Sequence, residues 1–321
     1  MPADYDVLLL GSYYCDLIFT GLPEVPRLGA DLFGKEFDLV AGGSYRTSLA
    51  LLRLRLRAGW LCDFGDDLFS GLVMEMAERD GLDTSLFRRH PFPLRRVSVS
   101  FSFVHDRGFI SYVDPLPPPS PIEAIERHQP RAVLISHLMY GDSQAALVAA
   151  ARGAGSLVYM DCQSDVATLA TPGVQEALRR VDVFGPNESE ALHLTGAATV
   201  EAALEQLVDL APMVVMKRGA QGALAAHTTA GTGLQVLRSP ALTVEVSDTT
   251  GAGDCFNAGF LYAHLGGHSL ADCLSSGNIC GGLSTLSRGK GTLPSAAQVE
   301  EMLREGASPA QRRPGSPRDE G

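Results

Sequence analysis

Asp248-Thr249-Thr250-Gly251-Ala252-Gly253-Asp254-Cys255-Phe256-Asn257-Ala258-Gly259-Phe260 is the stretch on which the fold and chemistry of this chain turn. It follows a strand-like run, Ala241 to Val246, and opens into an apolar segment, Phe256 to Leu265, that reads as a helix. Two glycines and an alanine therefore stand where a strand gives way to a helix. Backbone there can approach a ligand closely, and the unpaired N–H groups of the first helical turn point at it. Such a turn attracts anions, phosphates above all. Asp254 is out of place in a site for phosphate alone. It suits a site that holds a phosphoryl group and takes a proton from its acceptor. A plain helix cap accounts for Asp248 or Asp254 singly, but less well for both flanking Thr-Thr-Gly-Ala-Gly. The dinucleotide fingerprint fails at Phe256, where a third Gly is required, and no Gly-Lys-Ser/Thr follows as in the Walker pattern.

The surrounding chain is that of a globular α/β protein. Its 321 residues suit one α/β domain with an insertion, and 45% hydrophobic content with 34 Gly suits a packed core with many turns. A net charge of −11 argues against non-specific nucleic-acid binding and against an anionic membrane surface. The N-terminal Met1 to Asp6 has no basic region and is followed by a short apolar run, Val7 to Leu10, so no secretory signal is expected. No apolar run approaches the ~20 residues that span a bilayer. Cys15, Cys62, Cys162, Cys255, Cys273 and Cys280 lack metal-ligand spacing and read as reduced core thiols of a cytoplasmic protein.

Taken in order, Asp6 to Leu10 reads as a buried strand, and Tyr13 to Leu39 as short β-like runs broken by Pro23, Pro26 and Gly29. Ala41 to Ser44 reads as a turn before a helix from Tyr45 to Leu56, with Leu49, Leu52 and Leu56 on one face. A strand from Ala58 to Phe64 and a helix from Gly65-Asp66-Asp67 to Gly81 follow. Val97 to Phe103 alternates apolar and polar residues, turns at Asp106-Arg107-Gly108 and continues to Val113, a hairpin with one half-exposed face. From residue 131 strands alternate with helical patterns: Ala132–Ser136, Leu157–Asp161, Val181–Phe184 and Met213–Lys217. That alternation predicts a doubly wound, mostly parallel sheet with a small β-sheet lid. The expected division is an α/β core of residues 1–12, 40–92 and 115–305, a lid of 13–39 and 93–114, and a disordered tail over 306–321.

Ligands of such sheets sit beyond the carboxyl ends of the strands, an edge that here includes Asp161, Asn187, Lys217 and the 248–254 turn. Asn187 with Glu190 has the spacing of a capping box. On the ligand edge, an amide and a carboxylate one turn apart also suit a hydrated Mg²⁺. Lys217-Arg218-Gly219-Ala220-Gln221-Gly222 ends a strand with a glycine turn, which a hairpin alone explains; its charge at that edge suits a polyphosphate. His264 and His268 show no ligand spacing. Neither Gly-x-Ser-x-Gly nor His-Glu-x-x-His occurs, which leaves hydrolase and zinc-protease readings unsupported.

Asp248 to Phe260 resembles the C-terminal signature of the ribokinase (PfkB-type) sugar kinases, Asp-Thr-x-Gly-Ala-Gly-Asp. Other segments fall in that family's order. Gly11 to Asp16 resembles its N-terminal Gly-x-x-x-x-Asp, and Ala41-Gly42-Gly43 to Gly65-Asp66-Asp67 its Gly-Gly segment. Asn187 to Glu190 resembles its Asn-x-x-Glu, and Lys217 to Gly222 its nucleotide loop. The resemblance implies ATP-dependent phosphorylation of a sugar-like alcohol on a ribokinase-like fold. Asp254 is then the base, and the amides around Gly251, Ala252 and Gly253 hold charge on the transferred phosphate. Glu190 and Asn187 position Mg²⁺ through water, Lys217, Gly219 and Gly222 line the nucleotide, and Asn278 lies near the adenine. Asp248 with carbonyls around 284–291 suits a monovalent cation such as K⁺. Asp16, Gly42 and Gly43 bind substrate hydroxyls under the lid, whose strands imply, by analogy, a homodimer. One position departs from the family. Its sugar-contacting Asn is replaced by Arg46 or Thr47, depending on the direction of alignment. Arg46 raises the alternatives of an acidic or phosphorylated substrate, a guanidinium forking onto such groups, or of a member that binds without turnover. A nucleoside remains a further alternative acceptor.

Overall fold

The structure is a computed structural model, described here for residues 3–29, 31–103, 106–116, 120–163, 166–229, 233–286 and 293–306. Thirteen strands run in chain order among these residues. They are β1 Val7–Leu10, β2 Tyr13–Thr20, β3 Glu36–Gly43, β4 Ala58–Phe64, β5 Phe87–Arg89, β6 Arg96–Phe103 and β7 Asp106–Val113. The rest are β8 Ala132–Ile135, β9 Leu157–Asp161, β10 Val183–Gly185, β11 Met213–Lys217, β12 Ala223–Thr229 and β13 Gly233–Ser239. The helices are α1 Ser44–Arg53, α2 Leu68–Asp80, α3 Ile122–His128, α4 Asp142–Gly153 and α5 Val174–Arg180. They continue with α6 Glu188–Thr195, α7 Val200–Val208, α8 Ala252–Leu265, α9 Leu270–Ser284 and α10 Ala296–Gly306.

Nine strands form one sheet in the order β13-β12-β11-β10-β9-β8-β1-β4-β5, parallel from β11 to β5 and antiparallel at β12 and β13. β1 is buried along its whole length, as a strand with helices on both faces must be. Its side chains alternate between two separate cores. Val7 and Leu9 join the cluster that holds α1, α8 and α9, while Leu8 and Leu10 join the cluster under α4, α6 and α7. Each such fully buried aliphatic side chain contributes about 1.5–3 kcal/mol. Among the described residues no helix is long and apolar enough to cross a membrane, and all six cysteines are free and buried.

The remaining four strands, in the order β3-β2-β6-β7, form the small sheet. One of its faces presents Asp16, Ser98 and Ser100 to the interior. The other carries Phe19, Phe37, Val99, Ile110 and Tyr112, with Phe37, Ile110 and Tyr112 more than half exposed.

Several local expectations are corrected. Ala41, Gly42 and Gly43 are the end of β3, paired with Cys15, Tyr14 and Tyr13, so the small sheet runs to Gly43 and α1 begins directly at Ser44. The reversal needs only the positive φ of 60° at Gly43. Asp106 to Gly108, expected as the hairpin turn, are instead paired with β6. Ala241 to Val246 is not a strand. The Asn278 amide, which donates to the carbonyls of Ser239 and Pro240, draws the chain away from the sheet edge as β13 ends. Gly306 closes α10, and the rest of the expected tail, 307–321, lies outside the described residues.

Candidate active site

Gly251 is the N-cap of α8 and has a left-handed backbone, φ 73°. A side chain there would be strained by conformation alone and would also meet Arg46, whose Nε lies 2.4 Å from the place a Cβ would occupy. The turn before it is fastened by Asp248, whose Oδ1 accepts from the Thr250 amide at 2.9 Å and the Thr250 hydroxyl at 2.7 Å. The Ala252 amide is engaged with the Thr249 carbonyl at 3.2 Å and the Cys255 amide with the Gly251 carbonyl at 3.0 Å, so the amides of Gly253 and Asp254 are the donors the first turn offers an anion.

Asp254 stands in that first turn. Its Oδ1 accepts from the Thr47 hydroxyl at 3.2 Å and from the Gln163 amide at 3.3 Å. Burial, and then the charge of Asp161, push its carboxyl up to about 6; Lys217, the Thr47 hydrogen bond and Arg46 pull the other way. A carboxylate poised there is a usable base near neutral pH.

The nucleotide-side candidates gather around one cavity of about 690 Å³. It is lined by Asn187, Glu190, Lys217, Gly219, Gly222, Gly251 to Asp254, and Asn278, a size that suits a nucleotide. Its apolar end is made by Leu242, Val244, Val246 and Phe256. The capping box is complete. Asn187 Oδ1 accepts from the Glu190 amide at 2.9 Å, and Glu190 Oε2 accepts from the Asn187 amide at 2.8 Å. Burial first, and Asp161 second, hold the Glu190 carboxyl above the usual carboxylate range, against Lys217. Among the described residues no three His, Cys, Asp or Glu side chains are grouped to hold a metal. The Glu190 carboxylate, which lines the cavity, nonetheless fits Mg²⁺, which keeps most of its waters and leans on phosphate oxygens. Asn278 lines the cavity while its amide is committed to Ser239 and Pro240. Gly222 lets the 239–241 segment approach; a Cβ there would lie 2.1 Å from the Ser239 carbonyl oxygen.

In the small sheet, Asp16 lies over Gly42, where a Cβ would fall 1.9 Å from its Oδ2. Burial pushes the Asp16 carboxyl up to about 6, against the pull of Arg46 and with a push from Asp248. Arg46 itself is 7% exposed, and its Nε is buried without a hydrogen-bond partner. Of the arginines that border the small sheet (Arg88, Arg89, Arg95 and Arg96), Arg96 likewise has a buried Nε without a hydrogen-bond partner, and the other three are paired. Arg88 pairs with Asp63, Arg89 with Glu78 and Arg95 with Asp114. Of the carbonyls expected around Asp248, 287–291 lie outside the described residues.

Sequence reading missed three residues in this constellation. Gln163 and Thr47 touch Asp254, and Asn257 lies behind it, bonded to Asp161. Thr47 was legible only as the place where the expected Asn is missing. Gln163 and Asn257 carry no spacing signal at all.

The profile of the pfkB family carbohydrate kinases matches residues 29–296. The Bacillus subtilis ribokinase is 26% identical over 315 residues, covering 93% of this chain and 99% of its own length. An ATP-dependent ribose-1-phosphate kinase of Halopiger xanaduensis is 28% identical over 270 residues, covering 82% of this chain and 86% of its own length. The structure of Arabidopsis thaliana ribokinase complexed with ribose and ATP superposes with a TM-score of 0.78 at 21% identity, over 94% of this chain and 99% of that one.

Proposed function

Because the chain belongs to the pfkB family of carbohydrate kinases, we propose that it transfers the γ-phosphate of ATP to a hydroxyl, a primary alcohol, of a sugar or sugar-like substrate with Asp254 as base. The observation that carries this reading is the raised, half-buried Asp254 carboxyl in the first turn of α8, at the wall of a nucleotide-sized cavity. The substrate oxygen forms its bond to the γ-phosphorus as the bond from that phosphorus to the β,γ-bridging oxygen breaks. The hydroxyl proton passes to Asp254, and ADP leaves with the electron pair. Amides of the 251–254 turn hold the charge on the transferring group. They are fixed before the reaction, so they stabilise it without reorganising.

Enzymes of this family use ATP and Mg²⁺. Glu190 and Asn187 would hold Mg²⁺ through water, where it supplies positive charge to the phosphate oxygens. Lys217, Gly219 and Gly222 line the nucleotide, with Asn278 at its far end. Asp16, Gly42 and Gly43 orient the acceptor beneath the small sheet, which acts as a lid that keeps out water competing for the phosphoryl group. Asp248 is retained as the residue for a monovalent cation. The apolar outer face of the lid supports a homodimer through that sheet.

A second reading concerns the acceptor. The unpartnered Arg46 nitrogen, whose charge reaches Asp16, favours a sugar that carries a carboxylate or phosphate. The Halopiger xanaduensis relative, a ribose-1-phosphate kinase, is consistent with it. The test is an ADP-release screen over neutral, acidic and phosphorylated sugars and nucleosides. Substrate-dependent ADP formation is expected; none across the panel contradicts the kinase reading. Activity on neutral sugars alone, unchanged in Arg46→Met, removes the second reading.

A further inference from the structure

Lys217 is held more firmly than a residue that merely borders a nucleotide needs to be. Its Nζ donates to Asp161 Oδ1 at 2.7 Å, and the two side chains are 11% and 2% exposed. Asp161 Oδ2 accepts from Asn257 Nδ2 at 2.5 Å. Asn257 Oδ1 in turn accepts from the Tyr159 hydroxyl at 2.9 Å and stands 3.4 Å from Lys217 Nζ. Tyr159 is fully buried, its hydroxyl packed against Gly185 of β10. The chain of contacts thus joins β9, β10 and β11 to α8 and ends at one ammonium group. Lys217 Nζ lies 3.7 Å from where a Cβ on Gly253 would stand, so that ammonium overhangs the anion turn.

Burying an ion pair costs desolvation that its attraction only partly offsets, so Asp161–Lys217 is poor value as a fold stabiliser. It fixes the position of a charge on a flexible stem, which a lysine otherwise lacks. We propose that Asp161 and Asn257 are positioning residues that fix the Lys217 ammonium over the 251–254 turn, where Lys217 is a catalytic cation for the transferring phosphoryl group. This rests on the phosphoryl-transfer reading above. Asp161 has a second effect, on the base. The charged groups that face Asp254 are Asp161 from β9, Lys217 from β11 and Arg46 from α1. The Asp161 charge raises the Asp254 carboxyl and the other two lower it.

The test is steady-state kinetics against pH on the wild-type enzyme and on Asp161→Asn, Lys217→Met, the double variant and Tyr159→Phe, with folding checked by thermal melting. Lys217→Met is expected to lose about a hundredfold in kcat. Asp161→Asn is expected to lose about tenfold in kcat with little change in KM for ATP, the mark of an interaction made in the transition state. Its acid limb in kcat/KM should move to lower pH by about half a unit or more, because a like charge beside the base is gone. Above the acid limb, the double variant should be no worse in kcat than Lys217→Met alone, since the effect of Asp161 on kcat runs through Lys217. Tyr159→Phe, remote from substrate, should lose about two- to fivefold in kcat. Asp161→Asn with wild-type kcat and an unmoved acid limb overturns the proposal, as does a double variant whose losses multiply. A wild-type enzyme without turnover instead sinks the kinase reading itself.

Discussion

Asp254 carries two separable consequences at the scale of one residue. As the proposed base it must be ionised, so kcat/KM should fall below a midpoint near pH 6, the value to which burial and Asp161 push it. A pH–rate profile checks this; a flat profile down to pH 5 contradicts it. The same shift bears on stability. The folded-state pKa lies above the ordinary aspartate value near 4, so the fold favours the protonated carboxyl. That contribution is complete below about pH 4 and is lost as pH rises through 6. Asp254→Asn removes the cost of a buried charge and should melt about 2–4 °C above wild type at pH 8. The difference should vanish near pH 4, as differential scanning calorimetry at the two pH values will show.

Elements supply the precision that single residues lack. The α8 turn depends on Gly251, where φ is 73° and a Cβ would stand 2.4 Å from Arg46 Nε. Gly251→Ala should therefore lose at least about tenfold in kcat through displaced amides, with circular dichroism unchanged. The capping box at the start of α6 couples helix stability to the cavity. Asn187→Ala should cost about 1 kcal/mol of stability by denaturant melt and raise KM for ATP. Both elements were legible in the sequence because they are local. Asp248 to Phe260 and Asn187 to Glu190 each hold their own geometry within a few residues. Lys217 with Asp161 and Asn257 was not legible as a unit, because the partners lie 56 and 40 residues from it and 96 from each other. Nothing in a linear pattern tells that three strand or helix ends converge on one ammonium. The Ala241–Val246 error has a similar origin. Alternating residues there suit a strand, but Asn278 ties down the preceding carbonyls and the segment lines the cavity instead.

The whole molecule joins a doubly wound sheet to a four-stranded sheet that, on the proposed reading, contributes Asp16, Gly42 and Gly43 to the acceptor site. The mostly parallel character of the large sheet was legible in the alternation of apolar runs and helices after residue 131, whereas its strand order, with β1 and β4 beside β8, depends on contacts between distant segments. The reach of the small sheet was harder to read, since Ala41 to Gly43 look like a loop and are paired with β2. That small sheet leaves Phe37, Ile110 and Tyr112 exposed on its outer face. If two lids cover one another, Ile110→Lys should shift the protein toward monomer in sedimentation velocity at micromolar concentration; a wild-type protein that is already monomeric removes the dimer. Phosphoryl transfer by this molecule depends, on the proposed reading, on Asp254 in the first turn of α8. Single-turnover transfer from ATP to the best acceptor should fall about a thousandfold in Asp254→Asn, while ATP binding measured by calorimetry stays within about threefold of wild type. A variant that transfers phosphate at the wild-type rate contradicts Asp254 as the base.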